Sequence, residues 1–266
     1  MSDRVVYTLE DGVADVRLNR ADKMNALDPA MFAALVDVGE DLKADGRVRA
    51  VVLSGEGRSF CAGLDFSSFE AMAGQGDLGG SGGLKRGRIT APGQQAVYVW
   101  SEIPAPVIAA VHGHALGGGF QLAIGADLRI VHPEAQLSVL EIRWGLVPDM
   151  TGTQLLPKLV GLDVAKELTF TGRMVSGAEA KELGLATRVS DQPRDDALAL
   201  AREIADKSPQ ATRGAKELLN LAGEVSLEEG FAAEQRVIRG LIGSPNQVEA
   251  VTAFFEKRPP SFADPS

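Results

Sequence analysis

Residues 107–121 read Val107-Ile108-Ala109-Ala110-Val111-His112-Gly113-His114-Ala115-Leu116-Gly117-Gly118-Gly119-Phe120-Gln121. Val107 to Val111 is a short unbroken apolar run, which fits a strand buried on both faces. His112-Gly113-His114 then turns the chain. Gly117, Gly118 and Gly119 follow, and Phe120-Gln121-Leu122-Ala123 continues with good helix formers. Strand, glycine turn and helix entry together leave backbone N–H groups at the positive end of a helix. Such a place suits an anion, or an oxygen that becomes one during a reaction. Tight helix packing explains three glycines equally well. A dinucleotide site does not, because the local spacing is not G-x-G-x-x-G.

Working outward, Val5 to Leu9 and Val13 to Leu18 read as strands, with Asp11-Gly12 as a hairpin turn. Asp28 is placed as an N-cap with Pro29 at the first helical position, and Met31, Leu35, Val38 and Leu42 recur at helical spacing. Ala50 to Leu53 and Leu128 to Val131 are further buried strands. Gly74 to Gly93 is glycine-rich and carries Lys85, Arg86 and Arg88. It reads as a surface loop, either a tolerated insertion or a lid whose cations meet phosphates. Thr151 to Leu162 has helical spacing. Ser176-Gly177-Ala178-Glu179 and Ser226-Leu227-Glu228-Glu229 are capping-box patterns, and Ser208-Pro209 and Ser244-Pro245 mark further helix starts. From about Asp195 onward the pattern is nearly all helical. The expected division is therefore an alternating strand–helix part over 1–195 and a helical region over 196–266, which packs on its own core or serves as an oligomer interface.

The chain has 266 residues, 45% hydrophobic and 24% charged, within the range of ordinary globular proteins. No apolar run approaches the roughly 20 residues of a membrane span. The start, Met1-Ser2-Asp3-Arg4, carries no signal-peptide core. The net charge of −9 argues against a broad nucleic-acid surface, so a phosphate-bearing ligand needs a local basic patch. Cys61 is the one cysteine. Its apolar neighbours point to an inert buried thiol in a reducing compartment, and a cytoplasmic protein is expected. Spacing among His112, His114 and His132 fits no metal site, and all three read as turn or surface residues. Glu141 and Asp149 lie among large apolar residues. Such surroundings can poise a carboxyl for proton transfer. A Glu141–Arg143 pair, or a helix N-cap role for Asp149, are the structural alternatives, and Trp144 reads as a pocket wall or core residue.

Three motifs together resemble the crotonase (enoyl-CoA hydratase/isomerase) superfamily nearly end to end. They are Ser59-Phe60-Cys61-Ala62-Gly63-Leu64-Asp65, Pro106 to Gly119, and Thr171-Gly172-Arg173 with Ala178, Ala180 and Gly184-Leu185-Ala186. Asn19-Arg20, Asn25-Ala26-Leu27 and Phe254-Phe255-Glu256-Lys257-Arg258 extend the match. The resemblance implies an α/β fold, a spiral of β-β-α units followed by a helical region that builds trimers, often paired into hexamers. It implies an acyl-CoA thioester substrate, with coenzyme A part of that substrate and no separate cofactor. The backbone N–H groups of Leu64 and Gly118 would form the oxyanion hole. Ala62, Gly63, Asp65 and Phe66 would line the CoA adenine pocket, and Phe254 and Lys257 match tail positions that reach the CoA of a neighbouring subunit.

Hydratases of the family commonly carry two glutamates, and the first of those positions is Gln121 here, while the second is Glu141. An amide does no acid–base work near neutral pH. A double-bond shift needs only one carboxylate, and dienoyl-CoA isomerases add an Asp at the position of Asp149. The leading expectation is thus an isomerase using Glu141 with Asp149, Gln121 replacing one carboxylate. The alternatives are a hydratase that orients water with Gln121 beside Glu141, and an acyl-CoA binding protein without chemistry.

Overall fold

The computed structural model describes residues 3–65 and 89–265. The first hairpin pairs β1 (Val5–Glu10) with β2 (Val13–Leu18) around Asp11 and Gly12, both left-handed. Asp28 caps α1 (Pro29–Ala44) by accepting from the Met31 N–H at 2.8 Å, and Met31, Leu35, Val38 and Leu42 are the buried face. β3 (Ala50–Gly55) then runs parallel to β2.

After α2 (Pro92–Glu102) come β4 (Val107–Val111), β5 (His114–Leu116) and α3 (Gly118–Ile124). β6 (Leu128–Val131), β7 (Gln136–Ser138) and a 3-10 turn, Glu141–Trp144, follow. Next are α4 (Gly152–Val160), α5 (Leu162–Thr171), β8 (Val175–Ser176), α6 (Gly177–Glu182) and β9 (Arg188–Val189). Four helices finish the chain: α7 (Pro193–Ala205), α8 (Pro209–Leu221), α9 (Leu227–Leu241) and α10 (Pro245–Glu256).

The larger sheet has the order β1-β2-β3-β4-β6-β9, parallel from β2 onward. Both faces of its central strands β3 and β4 are buried, and alternation along them sorts the side chains. Val51 and Leu53 of β3, with Val107, Ala109 and Val111 of β4, join the core that contains α1 and α2. Ala50, Val52, Ile108 and Ala110 face the other way, onto Ala197, Ala201 and Ala205 of α7. The expected boundary at 195/196 falls inside α7, whose alanine stripe closes one face of the sheet and opens the helical region. That region is pinned by a buried lysine: Lys216 Nζ on α8 lies 2.7 Å from Oδ2 of the half-buried Asp127 and donates to the Ala105 carbonyl at 3.1 Å.

A smaller sheet, β5-β7-β8, stands beside the first. His114 lies in β5, where the sequence suggested only a turn. Two other expectations change. The glycine-rich stretch ends before Gly93, which is a buried residue of α2; residues 74–88 of it, with Lys85, Arg86 and Arg88, lie outside the described residues. The helix expected over Thr151 to Leu162 is α4 but is shorter, ending at Val160 because Gly161 takes a positive φ of 81° before α5 begins. Ser226 forms the full capping box, whereas Ser176 caps without the reciprocal bond, Glu179 pairing with Arg173 at 2.7 Å instead.

The tail beyond α10 folds back on the sheet. Arg49, just before β3, reaches Asp264 at 2.7 Å and the Phe262 carbonyl at 2.8 Å. Asn246 brackets Ala263 at both its N–H and its carbonyl.

Candidate active site

Three segments meet at one cleft of about 280 Å³: the loop after β3, the turn into α3, and the stretch from Leu140 to Met150. Its walls are largely apolar, including Leu27, Phe32, Leu116, Leu140, Trp144, Leu146 and Val147. Trp144 is thus a wall of the cleft, as expected. Glu141 and Asp149 are the titratable residues among the described lining.

The loop after β3 is held by Asn25, which is fully buried with a left-handed φ of 56°. Its Nδ2 lies 2.9, 2.8 and 3.1 Å from the carbonyls of Glu56, Ser59 and Phe60, and its Oδ1 accepts from the Arg20 N–H at 2.8 Å. Cys61 comes next. Its thiol donates to the Asn25 carbonyl at 3.1 Å, and burial pushes its pKa up to about 12. That agrees with an inert thiol.

Ala62, Gly63 and Leu64 then reach the cleft. The Asp65 N–H is taken by the Leu27 carbonyl at 3.0 Å, and on the far side the Gly117 N–H by Ser138 at 3.0 Å. Between these, the N–H groups of Leu64 and Gly118 enter no loop or cap hydrogen bond of the described residues, and both residues line the cleft. Gly118 opens α3, so its N–H has no helical acceptor. The neighbouring Gly119 serves packing: a Cβ there would stand 2.3 Å from the Cys61 carbonyl oxygen. Gly118 is packed closely as well, since a Cβ there would stand 2.8 Å from Leu27 Cδ1.

The other wall carries the carboxylates. Glu141 starts the 3-10 turn and makes no ion pair with Arg143 among the described residues. Its Oε1 accepts from Gln121 Nε2 at 2.6 Å, while its Oε2 is buried with no hydrogen-bond partner. Burial raises the Glu141 carboxyl above its ordinary value. The Gln121 amide opposes that rise, and Asp149 adds to it. Desolvation raises Asp149 as well. Asp149 is not a helix cap: Thr151 occupies that position on α4, and its side chain makes no capping bond. The capping is done from α3 instead. The fully buried Gln121 accepts at Oε1 from the N–H of Met150 at 2.8 Å and of Gly152 at 2.9 Å.

Gln121, Glu141, Asp149, Leu64, Gly118, Ala62 and Gly63 are thus brought together. Asp65 is not part of the lining; its carboxylate is paired with Arg20 at 2.6 Å. Phe66 lies outside the described residues. Phe254 is strongly exposed near the end of α10, and Lys257 follows that helix in a left-handed turn. Neither is among the lining of this cleft. The histidines sit on backbone and side-chain partners: His114 Nδ1 is 3.1 Å from Ser59 Oγ, His112 Nε2 is 2.9 Å from the Gly57 carbonyl, and His132 Nδ1 accepts from the Glu134 N–H. Asn25, Met150 and Gly152 had no assigned part in the site from sequence. The polar turn Pro148-Asp149-Met150-Thr151-Gly152 was the one local signal for the last two.

The chain matches the family described as Enoyl-CoA hydratase/isomerase over residues 8–265. It is 37% identical over 252 residues to a putative enoyl-CoA hydratase of Thermus thermophilus, covering 94% of this chain and 97% of that protein. It is 33% identical over 258 residues to human mitochondrial methylglutaconyl-CoA hydratase, covering 94% of this chain and 74% of the relative. Among solved structures, an enoyl-CoA hydratase from Bacillus anthracis superposes with a TM-score of 0.89 at 32% identity, covering 97% of this chain and 98% of the other.

Proposed function

Because the chain belongs to the enoyl-CoA hydratase/isomerase family, we propose that it shifts a double bond in an enoyl- or dienoyl-CoA through an enolate held by the Leu64 and Gly118 N–H groups. The observation that carries this reading is the state of Glu141. One carboxylate oxygen is held by an amide, and the other is buried in the site without a partner. In a 3-enoyl thioester, Glu141 Oε2 takes a proton from C2. The electron pair moves onto the thioester oxygen, where two fixed N–H dipoles stabilise it, typically by a few kcal/mol per donor. The same carboxyl returns the proton at C4. The double bond has moved from C3 to C2, no atom is gained or lost, and the carboxylate is regenerated. Asp149 stands on the same cleft and extends the scheme to a 3,5-dienoyl thioester, one carboxyl taking the proton and the other returning it.

Hydration is the second reading. It is favoured by the names of the relatives, hydratases in both cases. Gln121 is a poor partner for it: its carbonyl is filled by two N–H groups, which leaves only an N–H edge for water. Assembly as a trimer, or a pair of trimers, belongs to the same proposal, with Phe254 and Lys257 serving a neighbouring subunit's CoA; the exposure of Phe254 supports it. Among the described residues no helix is long and apolar enough to cross a membrane.

The test is to incubate purified protein with 2-enoyl-, 3-enoyl- and 3,5-dienoyl-CoA of matched length and follow mass and ultraviolet absorbance. A moved double bond at constant mass is expected. Rapid gain of one water by the 2-enoyl thioester, with no isomerisation, would replace the isomerase by a hydratase. Tight binding with no turnover would leave a binding protein.

A further inference from the structure

Thr151 is β-branched and sits at φ 75°, ψ −10°, in the left-handed region. A β-branched residue there is a strained exception. Its own side chain does not account for it, because the hydroxyl makes no capping bond and is buried without a partner. The conformation does accomplish one thing. It turns the N–H groups on either side of Thr151 toward a single atom, Gln121 Oε1, at 2.8 and 2.9 Å. Converging N–H groups of this kind make a concavity for an electronegative atom. The fit is close: a Cβ on Gly152 would stand 2.7 Å from that oxygen. The turn so held carries Asp149 and Met150, both on the wall of the cleft.

We infer that Gln121 is a positioning residue that acts through its carbonyl end, holding the Asp149–Gly152 turn in a left-handed form that Thr151 would otherwise leave, and thereby shaping the acyl cleft. The amide thus has two separate jobs. Its nitrogen orients Glu141, and its oxygen latches the facing wall. The inference rests on the proposed site for its ligand class, but not on which reaction runs there.

The two jobs separate in a cycle built from Gln121→Met and Thr151→Gly. Glycine adopts the left-handed turn without strain, so it does not need the latch. Affinity is read by calorimetry with butyryl-CoA, a saturated thioester that no double-bond chemistry can consume. Gln121→Met is expected to weaken binding about tenfold beside Thr151, but less than about threefold beside Gly at 151. In turnover assays the fall in kcat from the lost Glu141 contact is expected in both backgrounds, unrescued. Equal weakening of butyryl-CoA binding in the two backgrounds would overturn the latch. Gln121→Glu guards against a simple folding defect. It keeps an acceptor for both N–H groups and, with one proton shared between its carboxyl and Glu141, is expected to bind butyryl-CoA within about threefold of the parent; a loss as large as that of Gln121→Met would also overturn the latch. Failure of the isomerase reading would show in the product assay alone and leave this comparison of affinities standing.

Discussion

Two buried side-chain amides, Asn25 and Gln121, do opposite things with similar chemistry. Both are fully shielded from solvent. Asn25 spends its donors and its acceptor on backbone, tying Arg20 to the carbonyls of Glu56, Ser59 and Phe60. It is a closed knot. Gln121 spends its oxygen on backbone but gives its nitrogen to a carboxylate that keeps one oxygen free. It is a knot with a loose end, and the loose end is where chemistry can happen. In this pair, the amide with only backbone partners serves the scaffold, and the one that also holds a carboxylate of the cleft serves the candidate site.

The sharpest way to break the contrast is to remove the loose end. Glu141→Gln is isosteric and keeps an acceptor for Gln121. Turnover of the best enoyl thioester is expected to fall about 10³-fold, roughly 4 kcal/mol of barrier, with butyryl-CoA affinity little changed. A variant retaining full activity would remove Glu141 from the chemistry.

Cutting the closed knot comes next. Asn25→Ala strands several buried carbonyls and the Arg20 N–H, so denaturant unfolding should show a loss of about 3 kcal/mol. Because the Leu64 loop hangs from it, affinity for butyryl-CoA should fall along with stability. Full stability in the variant would show that the loop is held by something else.

Gly152→Ala is a milder intrusion. The added methyl meets Gln121 Oε1, and overpacking of this kind costs about 1–3 kcal/mol. The same change is expected to lower kcat, since the displaced amide no longer fixes Glu141.

The smallest effect is one of pH. Burial raises the folded-state pKa of Glu141 above its ordinary 4.5, so stability is lost progressively as the pH rises from 4.5 through the folded value. Below about pH 4.5 the cost is absent, because the carboxyl is protonated folded or unfolded. Glu141→Gln should therefore melt above the parent at pH 8, with the gap closing as the pH falls toward 4.5. The acid limb of turnover should lie above 4.5 for the same reason. A melting gap independent of pH would mean that Glu141 is not desolvated.

Much of this was legible along the chain, for local reasons. Val107 to Val111 declares a strand buried on both sides, Asp28-Pro29 declares a helix start, and the glycine triplet marks a turn with open N–H groups. Glu141 and Asp149 could be named from motif spacing. What could not be read was the wiring of Gln121, since its partners Met150 and Gly152 are 29 and 31 residues away. Nothing in the residue type says which end of an amide will face a carboxylate. The strands β5, β7 and β8 are two or three residues long, too short for any alternation to register. The start of α2 at Pro92 was masked by the glycine-rich run before it. The Arg20–Asp65 pair shows the remaining difficulty: a charge beside a motif can belong to the scaffold that holds the motif.

Arg49 binds the Gly12 carbonyl through its own N–H at 2.7 Å, and its guanidinium takes Asp264, 215 residues further on. During synthesis at about 5–20 residues per second, that guanidinium waits on the order of 10–40 s for its carboxylate. The first hairpin and β3 leave the ribosome early, but the Arg49 guanidinium gains its last partners when the tail arrives. A nascent chain paused shortly before Phe262 would carry an assembled sheet with its last fastening missing.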